Sequence, residues 1–423
     1  MKVSVVIPTS NGARFLGPCL DALRASRPAA GVELETIVVD NGSTDATPQV
    51  LARHPGIKAL LFPRPMGFAQ ANNAARAVAT GEIVCFLNND TRVDPAWLER
   101  PLQIFARDPR VVGVGSKLVY MNPFVPIRFS LPPGTRLRVA AAVFGNSLGD
   151  KVRLSSDARD GWVRDGTALY LPLPVAGIDV PFTADPVIRL IEASGTIDGA
   201  TVQASTEARH RIARLPAIVR VDPAAPSVRL IQNAGNFLNE RLEGGDFGSG
   251  EEDGTARFAS EEIVPAICGA AMFARRDRLD AVGWFPDYYT MYYEDVDLCL
   301  RLRSDGGILV FCPSSVVNHY HTGTSREFSP KFIENVARSS LLFTSRYGTA
   351  AGFARTLVER LGHTRNELVH GRWSAAAGTR GMLSALPALR QPILSRLRAS
   401  VSGAKSASEL VRSARLPYTE SRE

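Results

Sequence analysis

The sequence predicts an α/β fold: a mostly parallel β-sheet flanked by helices, interrupted by a β-rich inserted module and followed by a helical C-terminal region. Strand-like and helix-like segments alternate over residues 1–124, which is the pattern of a parallel sheet with crossover helices. Helical periodicity is lost over residues 125–227, where short alternating runs between Pro and Gly are typical of a sandwich or barrel. The α/β pattern returns over residues 228–348. Residues 349–423 favour basic helices and end in a poorly ordered tail.

Strands are predicted where a short β-branched or apolar run ends at turn-forming residues. They are Val3–Ile7, Leu34–Val39, Lys58–Phe62, Ile83–Leu87, Val111–Tyr120 and Ile308–Phe311. The intervening helices are expected over Ala13–Ala25, Ala46–Arg53, from Gly67 to Gly81, from Asp94 onward, from the Tyr288–Asp297 cluster through Leu302, and from Lys331 onward. Asp94 is the expected N-cap of its helix, with Pro95 in the first turn. Within the module, residues Ala204–Leu215 are compatible with one further helix.

The composition is that of a globular protein: 45% of the 423 residues are apolar, and no apolar run is long enough to span a bilayer. The N-terminus leads directly into a strand pattern and is too short in apolar residues for a signal peptide. Five cysteines lack metal-binding spacing, so we expect a reducing cytoplasm. The net charge of +7 suits nucleic acid, a membrane surface or a phosphorylated ligand; because no nucleic-acid motif accompanies it, we expect no nucleic-acid partner.

The most informative stretch is the strand Ile83–Leu87 with the segment Asn88-Asn89-Asp90 directly after it. Ligands of open α/β sheets bind at the carboxyl ends of the strands. A carboxylate at that edge suits a hard divalent cation, and such a cation suits a diphosphate. The alternative is a polar turn, since Asn and Asp are common turn formers.

Other polar residues follow strands in the same way, and each has a structural alternative. Asp40 can accept hydrogen bonds from a base or ribose, or act as a turn residue or helix N-cap. Glu294 and Asp295 follow a run of tyrosines, where a sugar hydroxyl could be bound and deprotonated; the alternative is an acidic helix start. His319 and His321 follow a strand and are either ligands or structural histidines.

Together these motifs resemble the family 2 glycosyltransferases, inverting enzymes of the GT-A nucleotide-diphospho-sugar transferase fold, and within them the rhamnosyltransferase-like branch. The resemblance covers about residues 1–122 and 228–348. It rests on several spaced motifs in the expected order. They are Val5–Thr9, Val38–Asp45, Gly67–Asn73, Asn88–Asp90, Gly269–Ala270, Tyr293–Leu298 and His319.

The resemblance implies a role for each of these residues. The donor-side residues are Pro8, Thr9, Asn11, Asp40, Asn41, Gly67, Asn73, Asn88 and Asn89. The acceptor-side residues are Gly269, Ala270, Trp284 and Tyr293. Asp295 is the implied general base, with Glu294 beside it, and Asp90 with His319 is the implied ligand set for Mg²⁺ or Mn²⁺.

The implied reaction is a single displacement from a nucleotide-diphosphate sugar to a glycan or lipid-linked acceptor, with rhamnose as a candidate sugar, in bacterial surface polysaccharide synthesis. The sequence departs from the family at Asn88, the first acidic position of the Asp-x-Asp motif, and at Pro65, where relatives often have Asn. The inserted module, residues 125–227, is a third departure from the family, and the resemblance implies nothing about its role. Two alternatives are a sugar-nucleotide nucleotidyltransferase, for which a Gly-rich basic loop is missing, and a catalytically weak carbohydrate-binding or scaffolding protein.

The C-terminal range carries arginines spread through its expected helices. They are Arg355, Arg360, Arg365, Arg372, Arg380, Arg390, Arg396 and Arg398. Basic helices can lie on anionic lipid, which predicts peripheral contact with the inner face of the plasma membrane; the alternative is a solvated basic face. The oligomeric state is not predicted.

Overall fold

The computed structural model describes residues 1–26, 28, 30–128, 136–143, 153–154, 162–164, 167–179, 187–194, 217–220, 226–239, 241–321, 329–369, 374–401 and 416–418. The chain forms two compact units. One comprises Met1–Leu118, Asn233–Phe247 and Arg257–Glu423, and the other comprises Val119–Gln232 and Gly248–Ala256. The domain boundaries expected from the sequence stay a prediction.

The strands and helices alternate in the first part of the chain. The described strands are β1 (Lys2–Thr9), β2 (Glu33–Asn41), β3 (Lys58–Phe62), β4 (Ile83–Leu87), β5 (Thr91–Val93), β6 (Val111–Tyr120), β7 (Phe124–Arg128), β8 (Arg136–Val143), β9 (Arg153–Leu154), β10 (Trp162–Val163), β11 (Ala168–Pro172), β12 (Val187–Ser194), β13 (Ala217–Arg220), β14 (Ile231–Asn233), β15 (Asn236–Leu238), β16 (Gly244–Asp246), β17 (Glu262–Ile263), β18 (Ala271–Arg275), β19 (Ile308–His319) and β20 (Leu416–Pro417). The described α-helices are α1 (Ala13–Ala25), α2 (Thr47–Ala52), α3 (Phe68–Ala74), α4 (Glu99–Arg107), α5 (Arg276–Val282), α6 (Glu294–Arg303), α7 (Pro330–Tyr347), α8 (Ala350–Val369), α9 (Ser374–Ala385) and α10 (Arg390–Val401).

The first unit is built on one mixed sheet with the strand order β20-β17-β19-β6-β18-β4-β1-β2-β3. Strands β4, β1, β2 and β3 are parallel to one another, as the sequence predicts, whereas β18 is antiparallel to both β4 and β6. Strand β4 is buried along its whole length, because both faces of the sheet are covered. One edge of the sheet therefore collects the carboxyl ends of β1, β2 and β4.

A continuous apolar core joins the sheet to its helices. Helix α1 contributes Phe15, Leu16, Cys19, Leu20 and Leu23, which follow the helical spacing seen in the sequence. Trp97 is fully buried and packs on Phe273 with ring centroids 5.1 Å apart. This core holds the strand ends in fixed relative positions.

The second unit contains two antiparallel sheets. Their strand orders are β10-β8-β12-β13 and β7-β11-β9. Strands β8, β11 and β12 include the alternating runs Arg136–Val139, Ala168–Leu171 and Val187–Leu190, from which the sequence predicts short strands. A small apolar cluster of this unit includes Tyr120, Phe124 and Tyr170. The helix considered for residues 204–215 lies outside the described residues.

Three elements differ from the sequence-based expectation. Asp94 accepts a hydrogen bond from the Ala96 N–H at 3.1 Å, but the α-helix begins only at Glu99, after a turn. Strand β19 continues through His319 because its last residues pair with β5. The tail expected to be poorly ordered contains β20, which pairs with β17, and Tyr418, whose N–H donates to the Glu261 carbonyl at 3.2 Å.

Among the described residues, no helix combines the length and the apolar character that a bilayer-spanning segment needs.

Candidate functional site

The loops after β1 and β2 are joined through Asn11. Its side-chain carbonyl accepts hydrogen bonds from the Thr44 N–H at 2.7 Å and from the Asp45 N–H at 3.3 Å. Its own N–H donates to the Ser43 hydroxyl at 2.8 Å. Asn11 also has a positive φ of 49°, which Asn tolerates better than most residues. Asn11 therefore shapes the two donor-side loops, and Pro8, at the end of β1, lies opposite Val39 of β2.

Asp40 and Asn41 end β2 at the same sheet edge. Asp40 is 5% exposed and accepts a hydrogen bond from the Ser43 N–H at 3.0 Å, which is the turn role considered for it. Asn41 makes a reciprocal pair with the Met66 backbone: its amide donates to the Met66 carbonyl at 2.8 Å, and its carbonyl accepts from the Met66 N–H at 2.7 Å. This pair fixes the loop that precedes Gly67.

Gly67 and Asn73 connect the donor half of the sheet to the segment before α6. A Cβ atom on Gly67 would lie 2.9 Å from the Thr290 backbone, so only glycine fits there. The Asn73 amide donates to the Phe285 carbonyl at 2.8 Å and to the Asp287 carboxylate at 2.7 Å. Its carbonyl accepts from the Phe285 N–H at 3.1 Å. Asn73 therefore acts as a brace between the two halves of the first unit.

The segment Asn88-Asn89-Asp90 meets the end of β19. The Oδ1 atom of Asp90 lies 3.1 Å from Nε2 of His319, and both side chains are at least nine-tenths buried. Asn89 donates to the Thr9 hydroxyl at 2.7 Å, which ties this segment to the end of β1. The Asn88 amide nitrogen lies 3.5 Å from Nε2 of His319. The structure thus brings Thr9, Asn88, Asp90 and His319 to one place.

These residues fit a divalent cation that is shared with a substrate. Over the described residues there is no group of three or more His, Cys, Asp or Glu side chains that could hold a metal by itself. The candidate donors are the Asp90 carboxylate, the His319 imidazole and the amide oxygen of Asn88, whose Oδ1 atom is buried without a described hydrogen-bond partner. Mg²⁺ and Mn²⁺ sites in phosphate chemistry use one or two carboxylates plus phosphate oxygens, so this donor set suits either ion.

The acceptor-side loop contacts Asp295. The Gly269 N–H donates to Oδ2 of Asp295 at 2.9 Å, and the Val296 N–H donates to Oδ1 at 2.8 Å. A Cβ on Gly269 would lie 3.3 Å from Cβ of Asp295, which is a tight approach. Ala270 is buried, and its carbonyl accepts from the Asn88 N–H at 3.0 Å. The loop therefore joins the Asn88–Asp90 segment to the start of α6.

Burial raises the pKa of both carboxyl groups at the start of α6. For Asp295 the burial outweighs the hydrogen bonds from Gly269 and Val296, which lower the pKa. For Glu294 burial comes first, the charge of Asp295 adds to it, and the pKa lies well above the usual range of a glutamate. The Oε2 atom of Glu294 is buried without a described partner. Two adjacent carboxyls with raised pKa values are suited to holding or accepting a proton.

Tyr293 and Trp284 are placed differently from one another. Tyr293 is the N-cap of α6 with φ of 67°, and its ring packs on Phe343 with centroids 5.0 Å apart. Trp284 is 1% exposed, and its indole N–H donates to Asp280 at 2.9 Å. Trp284 therefore packs in the core in this structure, and an acceptor-side role for Tyr293 stays a prediction.

Sequence reasoning missed a buried ionic network around Asp297. Its carboxylate accepts from Arg301 at 2.7 Å and from Arg346 at 3.1 Å, and from the hydroxyls of Tyr288 and Tyr289 at 3.2 and 3.3 Å. Burial raises the pKa of both tyrosines, so their hydroxyls stay protonated as donors. The i,i+4 spacing of Asp297 and Arg301 was a usable signal, whereas Arg346 comes from α7 and gave none.

Comparison with known proteins adds family evidence for the N-terminal part. Residues 4–146 match the family model described as "Glycosyl transferase family 2". An uncharacterized glycosyltransferase of Nostoc sp. is 35% identical over 118 residues, which cover 27% of this chain and 35% of that protein. The glycosyltransferase AglE of Haloferax volcanii is 30% identical over 136 residues, covering 31% of this chain and 41% of that protein. The O-antigen biosynthesis protein RfbC of Myxococcus xanthus is 33% identical over 123 residues, covering 28% and 9%.

The chain spans less than half the length of each of these relatives. Among solved structures, GalNAc-T7 with UDP, GalNAc and Mn²⁺ aligns with a TM-score of 0.52 at 12% identity, over 97% of this chain and 56% of that one. The likeness is one of fold, and it confirms the GT-A architecture expected from the sequence. The range that matches the family model, residues 4–146, contains Asp40 and the Asn88–Asp90 segment.

Proposed function

Because residues 4–146 match the glycosyl transferase family 2 model, we propose that this protein is an inverting, metal-dependent glycosyltransferase that uses a nucleotide-diphosphate sugar. The observation that carries the proposal is the Asp90–His319 pair at the carboxyl edge of the sheet, joined through the Ala270 carbonyl and the Gly269 N–H to Asp295. A diphosphate-binding group and a proton acceptor are thereby connected through one loop.

On the donor side, Asp90, His319 and the buried oxygen of Asn88 would hold Mg²⁺ or Mn²⁺. The ion, when bound, neutralises charge on the departing diphosphate. Thr9 and Asn89 hold the Asp90 segment in place through their 2.7 Å hydrogen bond. Asp40 faces the base or ribose, and Asn11 and Asn41 fix the loops around it.

On the acceptor side, Asp295 accepts the proton of the attacking hydroxyl. As that proton moves to the carboxylate, the acceptor oxygen bonds to the anomeric carbon and the bond from that carbon to the diphosphate oxygen breaks. The raised pKa makes Asp295 a stronger base than an exposed aspartate, and the Gly269 N–H keeps one oxygen oriented. Because the acceptor oxygen attacks the anomeric carbon directly and no enzyme nucleophile takes part, the anomeric configuration inverts.

The motifs and one relative support a proposal for the sugar and the acceptor. Rhamnose is the candidate sugar from the resemblance of the motifs, and a glycan or lipid-linked acceptor in surface polysaccharide synthesis is consistent with the O-antigen biosynthesis named for the Myxococcus relative. Arginine-bearing helices α8 to α10 support a peripheral contact with anionic lipid.

The test is a screen of nucleotide-diphosphate sugars against the full chain by thermal shift, with Mn²⁺, Mg²⁺ or EDTA. A donor at 100-fold its Kd is expected to stabilise the protein by about 2.7 kcal/mol, and EDTA should remove the effect. Hydrolysis of the stabilising donor should follow, and the anomeric configuration of the first-formed product by NMR tests inversion. If no donor stabilises the protein or is hydrolysed, while a nucleoside triphosphate and a sugar phosphate react, the protein is a nucleotidyltransferase instead.

A further inference from the structure

The C-terminal helices enclose a cavity that the transfer reaction does not use. It lies between α7, α8 and α9 and has a volume of about 460 Å³, within the range of small-molecule sites. Phe332, Ile333 and Val336 of α7 form an apolar wall, and Arg360 and His363 of α8 lie on the opposite side. An apolar chamber with a cation at its wall suits a ligand that has a hydrocarbon part and an anionic part.

The charge of Arg360 is available for such a ligand. Its Nε donates to the Ser340 hydroxyl at 3.1 Å, and no carboxylate of the described residues forms an ion pair with it. Among the described residues that line the cavity, the one acidic side chain is that of Glu367, which accepts a hydrogen bond from the Ser374 hydroxyl. A guanidinium in a partly apolar setting binds phosphate well, because it is always charged and presents several donors.

The outward face of α8, the helix that carries Arg360 and His363, has exposed apolar side chains. Val358, Leu361 and Leu368 are 66%, 51% and 69% exposed, and their spacing places them on one face of the helix. Arg360 and His363 lie roughly 100° and 160° around the helix axis from Leu361, on the side that lines the cavity, so the exposed apolar residues form the outward face of α8. Exposed aliphatic side chains in a row are costly in water and are typical of a surface that meets lipid.

We propose that this cavity binds the hydrocarbon chain of a phosphorylated single-chain amphiphile, with the phosphate on Arg360 and His363. The apolar face of α8 then lies against the lipid layer from which the amphiphile enters. Binding requires no sugar transfer, so it is measurable whether or not the protein turns over a donor.

The site adjoins the segment that leads into α6. The ring of Phe332 packs edge-on against Tyr292 with centroids 5.2 Å apart, and Tyr292 and Tyr293 both have left-handed backbone conformations. Such conformations persist only where packing holds them. A ligand in the cavity would therefore contact Phe332, whose ring packs on Tyr292.

The experiment is isothermal titration of the full chain with decyl phosphate below its micellar concentration, compared with decanol and inorganic phosphate. Decyl phosphate is expected to bind at least about tenfold more tightly than either, since one charge-assisted contact is worth about 1.4 kcal/mol or more. Arg360→Ala should remove the preference for decyl phosphate over decanol while decanol still binds. Arg365→Ala, an exposed arginine on the same helix outside the cavity, is the matched control and should change affinity less than twofold.

Val336→Trp, which fills the cavity, should abolish binding of both decyl phosphate and decanol, with thermal unfolding checking that the variant is folded. Equal affinity of the wild-type protein for decyl phosphate and decanol would overturn the proposal. So would an equal loss in Arg360→Ala and Arg365→Ala, since that result indicates nonspecific attraction to a basic surface. If Val336→Trp fails to fold, the comparison of Arg360→Ala with Arg365→Ala still tests the proposal.

Discussion

Oδ1 of Asp90 lies 3.1 Å from Nε2 of His319, although the two residues are 229 positions apart in the chain. Antiparallel pairing of β5 with the end of β19 sets this distance, since it places His319 opposite Thr91. The family-like segment Asn88–Asp90 is thus completed by a strand from the other end of the first unit.

Removing either member of this pair should abolish metal binding. Asp90→Ala and His319→Ala should each lose Mn²⁺-dependent stabilisation by the donor, because the remaining partner of the pair and the neutral amide oxygen of Asn88 do not hold the ion against water. His321→Ala is the control: its ring is 5.9 Å from that of His319, and Mn²⁺ dependence should persist. Thermal shift with and without Mn²⁺ measures all three. Retained Mn²⁺ dependence in Asp90→Ala would exclude this site.

The parallel half of the sheet was predictable because local signals determine it. Strand β4 is an uninterrupted apolar run and β1 is rich in Val and Ile, and the ends of both are marked by turn residues, so Asp40 and Asp90 could be placed at one edge without tertiary information. The start of α4 was misjudged because Asp94 caps a turn rather than the helix, and the same side chain serves either purpose.

Long-range packing was not predictable. Trp284 was expected beside an acceptor, but Phe86 and Asp280 enclose it, and no periodic signal marks a core tryptophan in a loop. The role of Asp297 depends on Arg346, which is brought close only by the docking of α7. Such contacts arise from tertiary structure, and a single sequence carries no record of them.

A pH-dependent stability is expected from Glu35, at the opposite end of β2 from Asp40. Burial alone would raise its pKa, but hydrogen bonds from Lys58, Ser4 and Thr80 outweigh burial and lower it from 4.5 to about 2. The stabilisation that Glu35 gives to the fold is therefore fully present above its ordinary pKa of 4.5 and is lost as pH falls toward about 2. Glu35→Gln should cost about 2–3 kcal/mol at pH 7 and progressively less below pH 4.5, by urea unfolding at each pH.

The control for this titration is Glu33→Gln on the same strand. The Glu33 side chain is 68% exposed and pairs with Lys2 at 2.7 Å, so its replacement should cost less than about 1 kcal/mol. A constant difference between Glu35→Gln and wild type from pH 7 to pH 3 would contradict the assigned pKa.

Asp297 is expected to be a stability residue. It is fully buried, and Asp297→Asn would leave Arg301 and Arg346 without their shared counter-charge. Breaking a buried ion pair in this way typically costs about 3–5 kcal/mol. Urea unfolding should show this loss, while Asp305→Asn on the exposed surface should change the free energy of unfolding by less than about 0.5 kcal/mol. A loss below about 1 kcal/mol in Asp297→Asn would show that the network contributes little.

Asp295→Asn tests the proposed catalytic role of Asp295, which lies two residues before the stability residue Asp297. The amide keeps an oxygen for the Gly269 N–H, which donates to Asp295 at 2.9 Å, but it cannot accept the acceptor proton. Loss of a general base typically lowers the rate about 10²–10⁴-fold, so transfer should fall by that order. Donor affinity should stay within a few-fold, because Asp40 and Asp90 are unchanged. The lost charge favours the variant at neutral pH because burial raises the pKa of Asp295, whereas the Val296 N–H loses its acceptor, so the free energy of unfolding should change by less than about 2 kcal/mol.

The comparison variant is Glu294→Gln, which changes the neighbouring buried carboxyl. If Asp295 is the base, Glu294→Gln should retain measurable transfer and should stabilise the fold at neutral pH, because the burial that raises its pKa disfavours the charged form. The stabilisation should shrink as pH falls through the raised pKa of Glu294, where the wild-type side chain is itself neutral. Transfer near the wild-type rate in Asp295→Asn together with an inactive Glu294→Gln would assign the base to Glu294.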